Sequence, residues 1–198
     1  MPTAPRRARS VVRSQLGLAR ALWWALRGRA DVGPADVALP YNGLDRAVLW
    51  TITVLGVLET AIVHVLVSWP VLRWPLLALS VYGLLGFVAF HFTMRQHPHL
   101  LRGDVLLLRF GHFRCARVPL DSLASVGRNV DNTHKRNVAV DGDVLTVAFM
   151  GGTSVELRFS PDAVVAVDGR EHAVSRVSFL VEDPRAAATL LRARVPSS

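Results

Sequence analysis

The chain has 198 residues, is 51% hydrophobic and carries a net charge of +8 at pH 7, which leaves room for a membrane anchor and one folded domain of about 100 residues. Its single cysteine, Cys115, excludes an intramolecular disulfide framework and any zinc site built on several cysteines. Residues 1–46 carry eight Arg against Asp31, Asp36 and Asp45, so the excess charge lies beside an apolar stretch, where it suits anionic lipid head groups better than nucleic acid.

Residues 1–46 read as a basic N-terminal arm. Val12, Leu16, Ala19, Trp23 and Leu26 are spaced four, three, four and three apart, and Arg13, Arg20 and Arg27 recur every seven residues on another face. This period predicts an amphipathic helix on the cytoplasmic membrane surface, with the three Arg at anionic lipid. The alternative is a solvated basic tail. Arg20 interrupts the apolar run too early for a secretory signal, so the arm is expected to be retained. Gly33-Pro34 and Pro40-Tyr41-Asn42-Gly43 mark a loop after it.

Residues 47–93 read as a two-helix transmembrane hairpin. Residues 47–68 hold one charge, Glu59, and residues 71–92 hold only Arg73. Each half is long enough to cross a bilayer, since a span needs roughly 20 mostly apolar residues. Eight Arg precede the pair and Arg95 and Arg102 follow it, against only Arg73 in the loop between, which puts both termini in the cytoplasm. Pro75 is placed in the first turn of the second helix. Thr53, Gly56 and Thr60 on one helix, and Ser80, Gly83 and Gly86 on the other, offer small faces for packing.

Glu59 is the sharpest residue of the hairpin, about 18 Å along its helix and near mid-bilayer. A carboxyl there must be neutral, paired or turned inward. An antiparallel second helix brings Tyr82 and Ser80 to a similar depth. His64, five residues on, points about 140° away and meets Glu59 only across subunits or through the second helix. Three roles remain open: a hydrogen-bonded acid that locks the hairpin, a contact with a partner membrane protein, and a step in a proton or ion path.

Residues 94–198 read as a cytoplasmic β domain. Residues 95–99 form a polar linker in which His97 and His99 lack a third metal ligand, and His112, His134 and His172 fall at turns. Short apolar runs then predict strands over 105–110, 113–118, 123–130, 137–140, 144–149, 154–159, 163–167 and 173–181. Residues 183–194 predict a helix, capped by Asp183 with Pro184 in its first turn and Ala188, Leu191 and Val195 on one face.

The stretch Leu106-Leu107-Leu108-Arg109-Phe110-Gly111, with Val118-Pro119-Leu120-Asp121-Ser122-Leu123-Ala124-Ser125-Val126, resembles the opening of a bacterial pleckstrin-homology (PH) domain. The order of regions is similar to that of actinobacterial membrane proteins in which a transmembrane hairpin precedes such a domain. The resemblance implies a mainly-β PH-like barrel of about seven strands with a C-terminal capping helix, and a membrane location. It implies no activity.

A two-residue turn at Gly111-His112 is expected to set Arg109 opposite Arg114 on one face, with Arg117 on the other, as a modest anion patch. The alternative is a solvated charged face. The residues offer no Walker-type glycine loop, no carboxylate pair beside a base and no activating partner for Cys115. No catalytic residue, metal or cofactor is therefore assigned. The expected function is that of a non-enzymatic protein of the plasma (inner) membrane that presents a PH-like domain to a protein partner or to lipid. The alternative is a subunit of a transporter or channel that uses Glu59 within the membrane.

Overall fold

The computed structural model describes Trp23, residues 31–41 and residues 46–195. The chain divides into two compact units, one of Met1–Arg29 with Leu44–Thr93 and one of Ala30–Gly43 with Met94–Ser198. The amphipathic helix expected within residues 11–29 lies outside the described residues, apart from Trp23, which is helical and exposed.

The first unit is built on helix α1 (Arg46–Leu66) and helix α2 (Pro70–Gln96). Helix α2 is long and apolar enough to cross a membrane. Its 27 residues span about 40 Å, against roughly 30 Å of bilayer hydrocarbon. The described side chains of α1, Trp50–Leu66, form a shorter apolar stretch. The second helix begins earlier than expected. Pro70 is its first residue, and the Trp69 carbonyl accepts from the N–H groups of Leu72 and Arg73 at 3.1 and 2.9 Å. Pro70 thus takes the place where a missing N–H costs nothing, and Pro75 lies inside the helix.

The half-buried positions of α1, Thr53, Gly56, Thr60 and Val63, recur three, four and three residues apart and define one face. A Cβ added at Gly56 would lie 3.0 Å from Leu84 Cδ1, whereas at Gly83 and Gly86 it would meet nothing within 4 Å. A small residue therefore receives a large one, and the expected match of two small faces is not what closes this contact. Thr60 satisfies its hydroxyl on its own helix, donating to the Gly56 carbonyl at 2.8 Å.

The second unit is an open nine-stranded sheet with one helix. Strand β1 (Val37–Leu39) pairs antiparallel with β2 (His99–Arg102), β2 with β3 (Val105–Phe110), and β3 with β4 (Arg114–Pro119). Strand β5 (Leu123–Asp131) pairs with the first part of the 15-residue β8 (Thr153–Val167), and β4 pairs with its last part. Strand β9 (Arg170–Phe179) runs antiparallel to β8 and parallel to β7 (Val144–Val147). Strand β6 (Val138–Asp141) pairs with β7 and forms an edge.

Three features depart from the sequence reading. The segment expected as a loop contains β1, because Val37-Ala38-Leu39 meets the free edge of β2 in register Val37↔Leu101. The polar linker is short, since α2 runs to Gln96 and His99 already belongs to β2. The runs 154–159 and 163–167 are one strand, β8, with a register shift against β9 between Arg158 and Ala163.

The core lies on one face of the sheet and includes Leu106, Leu108, Val118, Leu123, Leu145, Leu157, Val165, Val177 and Phe179, all buried. Helix α3 (Pro184–Arg192) covers part of it with Ala187, Ala188 and Leu191 and packs on β5 and β8. The Asp183 carboxylate accepts from the N–H groups of Arg185 and Ala186, both at 3.0 Å, which fixes where this helix starts.

Candidate anion-binding cleft

The turn between β3 and β4 decides which basic residues converge. It has three residues, 111–113, and pairs Phe110 with Arg114 and Arg109 with Cys115. Gly111 has φ of 52°, and the Phe113 N–H donates to the Phe110 carbonyl at 3.1 Å. One residue more than expected turns Arg109 and Arg114 to opposite faces, because side chains alternate along a strand. The expected patch is therefore split. Arg109 donates to the Asp31 carboxylate at 3.0 Å on one side, and Arg114 meets Asp168 on the other.

Arg114 ties β4 to β6 and to the turn between β8 and β9. Its Nε donates to Asp168 Oδ2 at 2.7 Å, and its Nη1 donates to the Val138 carbonyl at 2.8 Å. Asp168 and Gly169, at φ of 50° and 82°, form the two-residue turn between β8 and β9. Both residues take the left-handed conformation that such a hairpin requires. The second oxygen of Asp168 accepts from the Cys115 N–H at 3.1 Å.

Around this tie lies a cleft of about 530 Å³, walled by Val138, Ala139 and Val140 and lined by Arg114, Arg136, Arg170, Asp168 and His172. A second cleft, of about 320 Å³, shares Arg136 and Ala139 with it and adds His134, Lys135 and Asp141. Together they present four Lys or Arg side chains against two Asp. Arg136 and Arg170 are exposed and form no ion pair among the described residues. The loop that carries Lys135 and Arg136 is shaped locally. Asp131 Oδ1 accepts from the Thr133 hydroxyl at 2.7 Å and from its N–H at 2.9 Å, which holds the Asp131 carboxyl below its ordinary pKa. The loop is tied to the segment between β7 and β8 by the His134 N–H on the Gly151 carbonyl and the Ala148 N–H on the Asn137 carbonyl. Guanidinium groups with open donors beside an apolar wall suit a phosphate-type anion.

A buried polar knot lies elsewhere in the same unit. His99 Nδ1 accepts from the Arg109 N–H at 2.9 Å and its Nε2 faces the Leu180 carbonyl at 3.1 Å, so the proton sits on Nε2. Burial lowers the His99 pKa to about 3. Tyr41 stacks on this ring at 4.2 Å, accepts from the Gly111 N–H at 2.7 Å and donates to Met94 Sδ at 3.4 Å. Its burial raises the phenol to about 12. Both nitrogens of His99 are thus committed to protein partners. Among the described residues no group of three or more His, Cys, Asp or Glu side chains is placed to hold a metal.

The residues singled out from the sequence fall elsewhere. Glu59, His64 and Tyr82 are exposed on their helices and Ser80 is half-buried, so the four do not form a buried cluster. Arg13, Arg20 and Arg27 lie outside the described residues. Arg117 is exposed on β4. Burial raises the pKa of the half-buried Cys115 thiol. Sequence reasoning missed Arg136, Asp168 and Arg170 as a group. Each lies in or beside a turn, but β4 meets the Asp168 turn only through its pairing with the end of β8, and the loop that carries Arg136 only through β6, whose Val138 carbonyl accepts from Arg114. Comparisons with protein-family models, with curated proteins and with solved structures found no match.

Proposed function

We propose that the chain is a non-enzymatic protein of the plasma (inner) membrane that crosses it twice and holds its β unit on the cytoplasmic side. One observation carries this reading: apart from Glu59, His64 and a few other polar groups, the outward side chains of α1 and α2 are apolar and exposed. Trp50, Leu55, Leu58, Val65, Trp69, Val71, Trp74 and Leu85 are each more than half exposed. Left in water, such a surface forgoes the roughly 25 cal/mol per Å² that removal from water supplies, and lipid supplies it. Trp69 and Trp74 flank the start of α2, where aromatic rings suit a head-group boundary.

The β unit is read as a PH-like module, supported by its antiparallel strands and by a C-terminal helix over the core. The parallel pairing of β7 with β9, and the sharing of β8 by β4 and β5, set it apart from a simple meander. The basic cleft favours anionic lipid head groups over a protein partner as the ligand of this module, because its open guanidinium groups are matched to phosphate.

The topology is tested by replacing Cys115 with Ser and placing one cysteine at Ser68 or at Glu171. An impermeant thiol reagent applied to intact cells should label the cysteine at 68 and spare the one at 171. Labelling at 171 would sink the cytoplasmic placement. Binding of the purified chain to anionic vesicles should fall several-fold in Arg136→Ala/Arg170→Ala and with added salt. Unchanged binding would remove the cleft from the proposal.

A further inference from the structure

We propose that copies of this chain associate side by side through α1, the Glu59 carboxyl of one copy hydrogen-bonding the His64 imidazole of the next. The proposal rests on the membrane reading of α1 and α2 given above, and it names the partner that Glu59 meets there.

Glu59 and His64 are the ionisable side chains of α1 within Trp50–Leu66. Both are exposed, and neither makes a hydrogen bond or ion pair among the described residues. The face between them is already in use, since Gly56 packs there against Leu84. At 100° per residue, Glu59 lies about 60° to one side of Gly56 and His64 about 80° to the other. The two groups therefore occupy opposite flanks and cannot meet within one copy. Thr60, the polar neighbour of Glu59 on the helix, keeps its hydroxyl on the Gly56 carbonyl.

A carboxyl surrounded by lipid is costly, and such groups pair with one another or with other polar groups. The imidazole is its complement on the same helix, displaced by about 7.5 Å along the axis. A tilt between neighbouring helices of the usual size, about 20°, narrows that offset for two long side chains. Complementary groups on opposite flanks specify a head-to-tail contact. A two-fold contact would instead set like against like. A head-to-tail contact leaves a Glu59 open at one end of the assembly and a His64 open at the other until a ring closes.

The test uses the full chain with Cys115→Ser, in native membranes. Glu59→Cys and His64→Cys chains, each distinguishable by tag, are co-expressed and oxidised. The expected result is a disulfide between position 59 of one chain and position 64 of the other, with little 59–59 or 64–64 product. In detergent, Glu59→Ala should require about tenfold more protein to reach the wild-type particle size. The exchanged chain, Glu59→His with His64→Glu, should recover that size. Predominant 59–59 product, absence of any cross-link, or a Glu59→Ala particle of unchanged size overturns the proposal. Alkaline carbonate washing separates the two failures. A chain released by the wash overturns the membrane reading itself, whereas a retained but monomeric chain overturns only the assembly.

Discussion

His99 is kept neutral by its surroundings. With the Arg109 N–H on one ring nitrogen and the Leu180 carbonyl at the other, a second proton would have no acceptor in a fully buried site. The unfolded imidazole protonates at its ordinary value of 6.5, while the folded one resists down to about 3. Between those values acid favours the unfolded chain, by about 1.4 kcal/mol per pH unit for one proton. The contribution of His99 is therefore complete above pH 6.5 and is lost progressively as pH falls. Denaturation of the detergent-solubilised chain between pH 7 and 5.5 should show the midpoint falling in the wild type. His99→Gln should start lower and depend less on pH, and equal slopes in the two chains would refute this account. Tyr41, stacked on the same ring, is itself satisfied within the protein: its hydroxyl donates to Met94 Sδ and accepts from the Gly111 N–H.

Among the elements, α3 shows how little sequence is needed to place a short helix. Asp183 accepts two N–H groups, Pro184 opens the first turn, and Ala187, Ala188 and Leu191 are buried. Removing the cap by Asp183→Ala should cost about 1 kcal/mol. The loss should appear as faster amide exchange confined to α3 and the adjoining part of β5, and uniform acceleration across the sheet would contradict it. The β3–β4 turn shows the opposite case. One residue more in the turn reverses the facing of Arg109 relative to Arg114, and strands of identical composition then build a different surface.

In the molecule as a whole, Ala30–Gly43 belongs with the β unit although α1 and most of α2 intervene in the chain. Strand β1 extends the edge of β2, and Asp36 holds Arg102 through two hydrogen bonds at 2.8 and 2.7 Å. The Asp31 N–H donates to the Gln96 carbonyl at 2.9 Å, and Tyr41 reaches Met94 and Gly111. A chain beginning at residue 44 loses all of these together. It also bares the β2 edge and the cavity that Tyr41 fills. Such a chain should unfold at lower denaturant and expose Leu101 and His99 to solvent. If its β unit unfolds at the full-length midpoint, residues 30–43 are not part of that fold.

The alternation of Val, Leu and Phe with turn residues was enough by itself to locate β3 to β7, most of β8 and β9, and the capped helix α3, because each of these is decided by neighbours in the chain. The apolar run through α2 was legible for the same reason, since length and hydropathy are local properties. Strand β1 was not legible. The three residues Val37–Leu39 carry no period of their own, and they form a strand because the β2 edge lies free beside them. His99 and Tyr41 read as a linker histidine and a loop tyrosine until the sheet closes over them. The basic cleft was hidden for a further reason. Arg114, Arg136 and Arg170 stand more than 20 residues apart in sequence, and no local rule states that β4 and the β8–β9 turn are neighbours. Periodicity, caps and turns are written in adjacent residues. Strand order, the three-residue turn that sets the facing of Arg114, and the company that each buried polar group keeps were decided only when distant segments packed together.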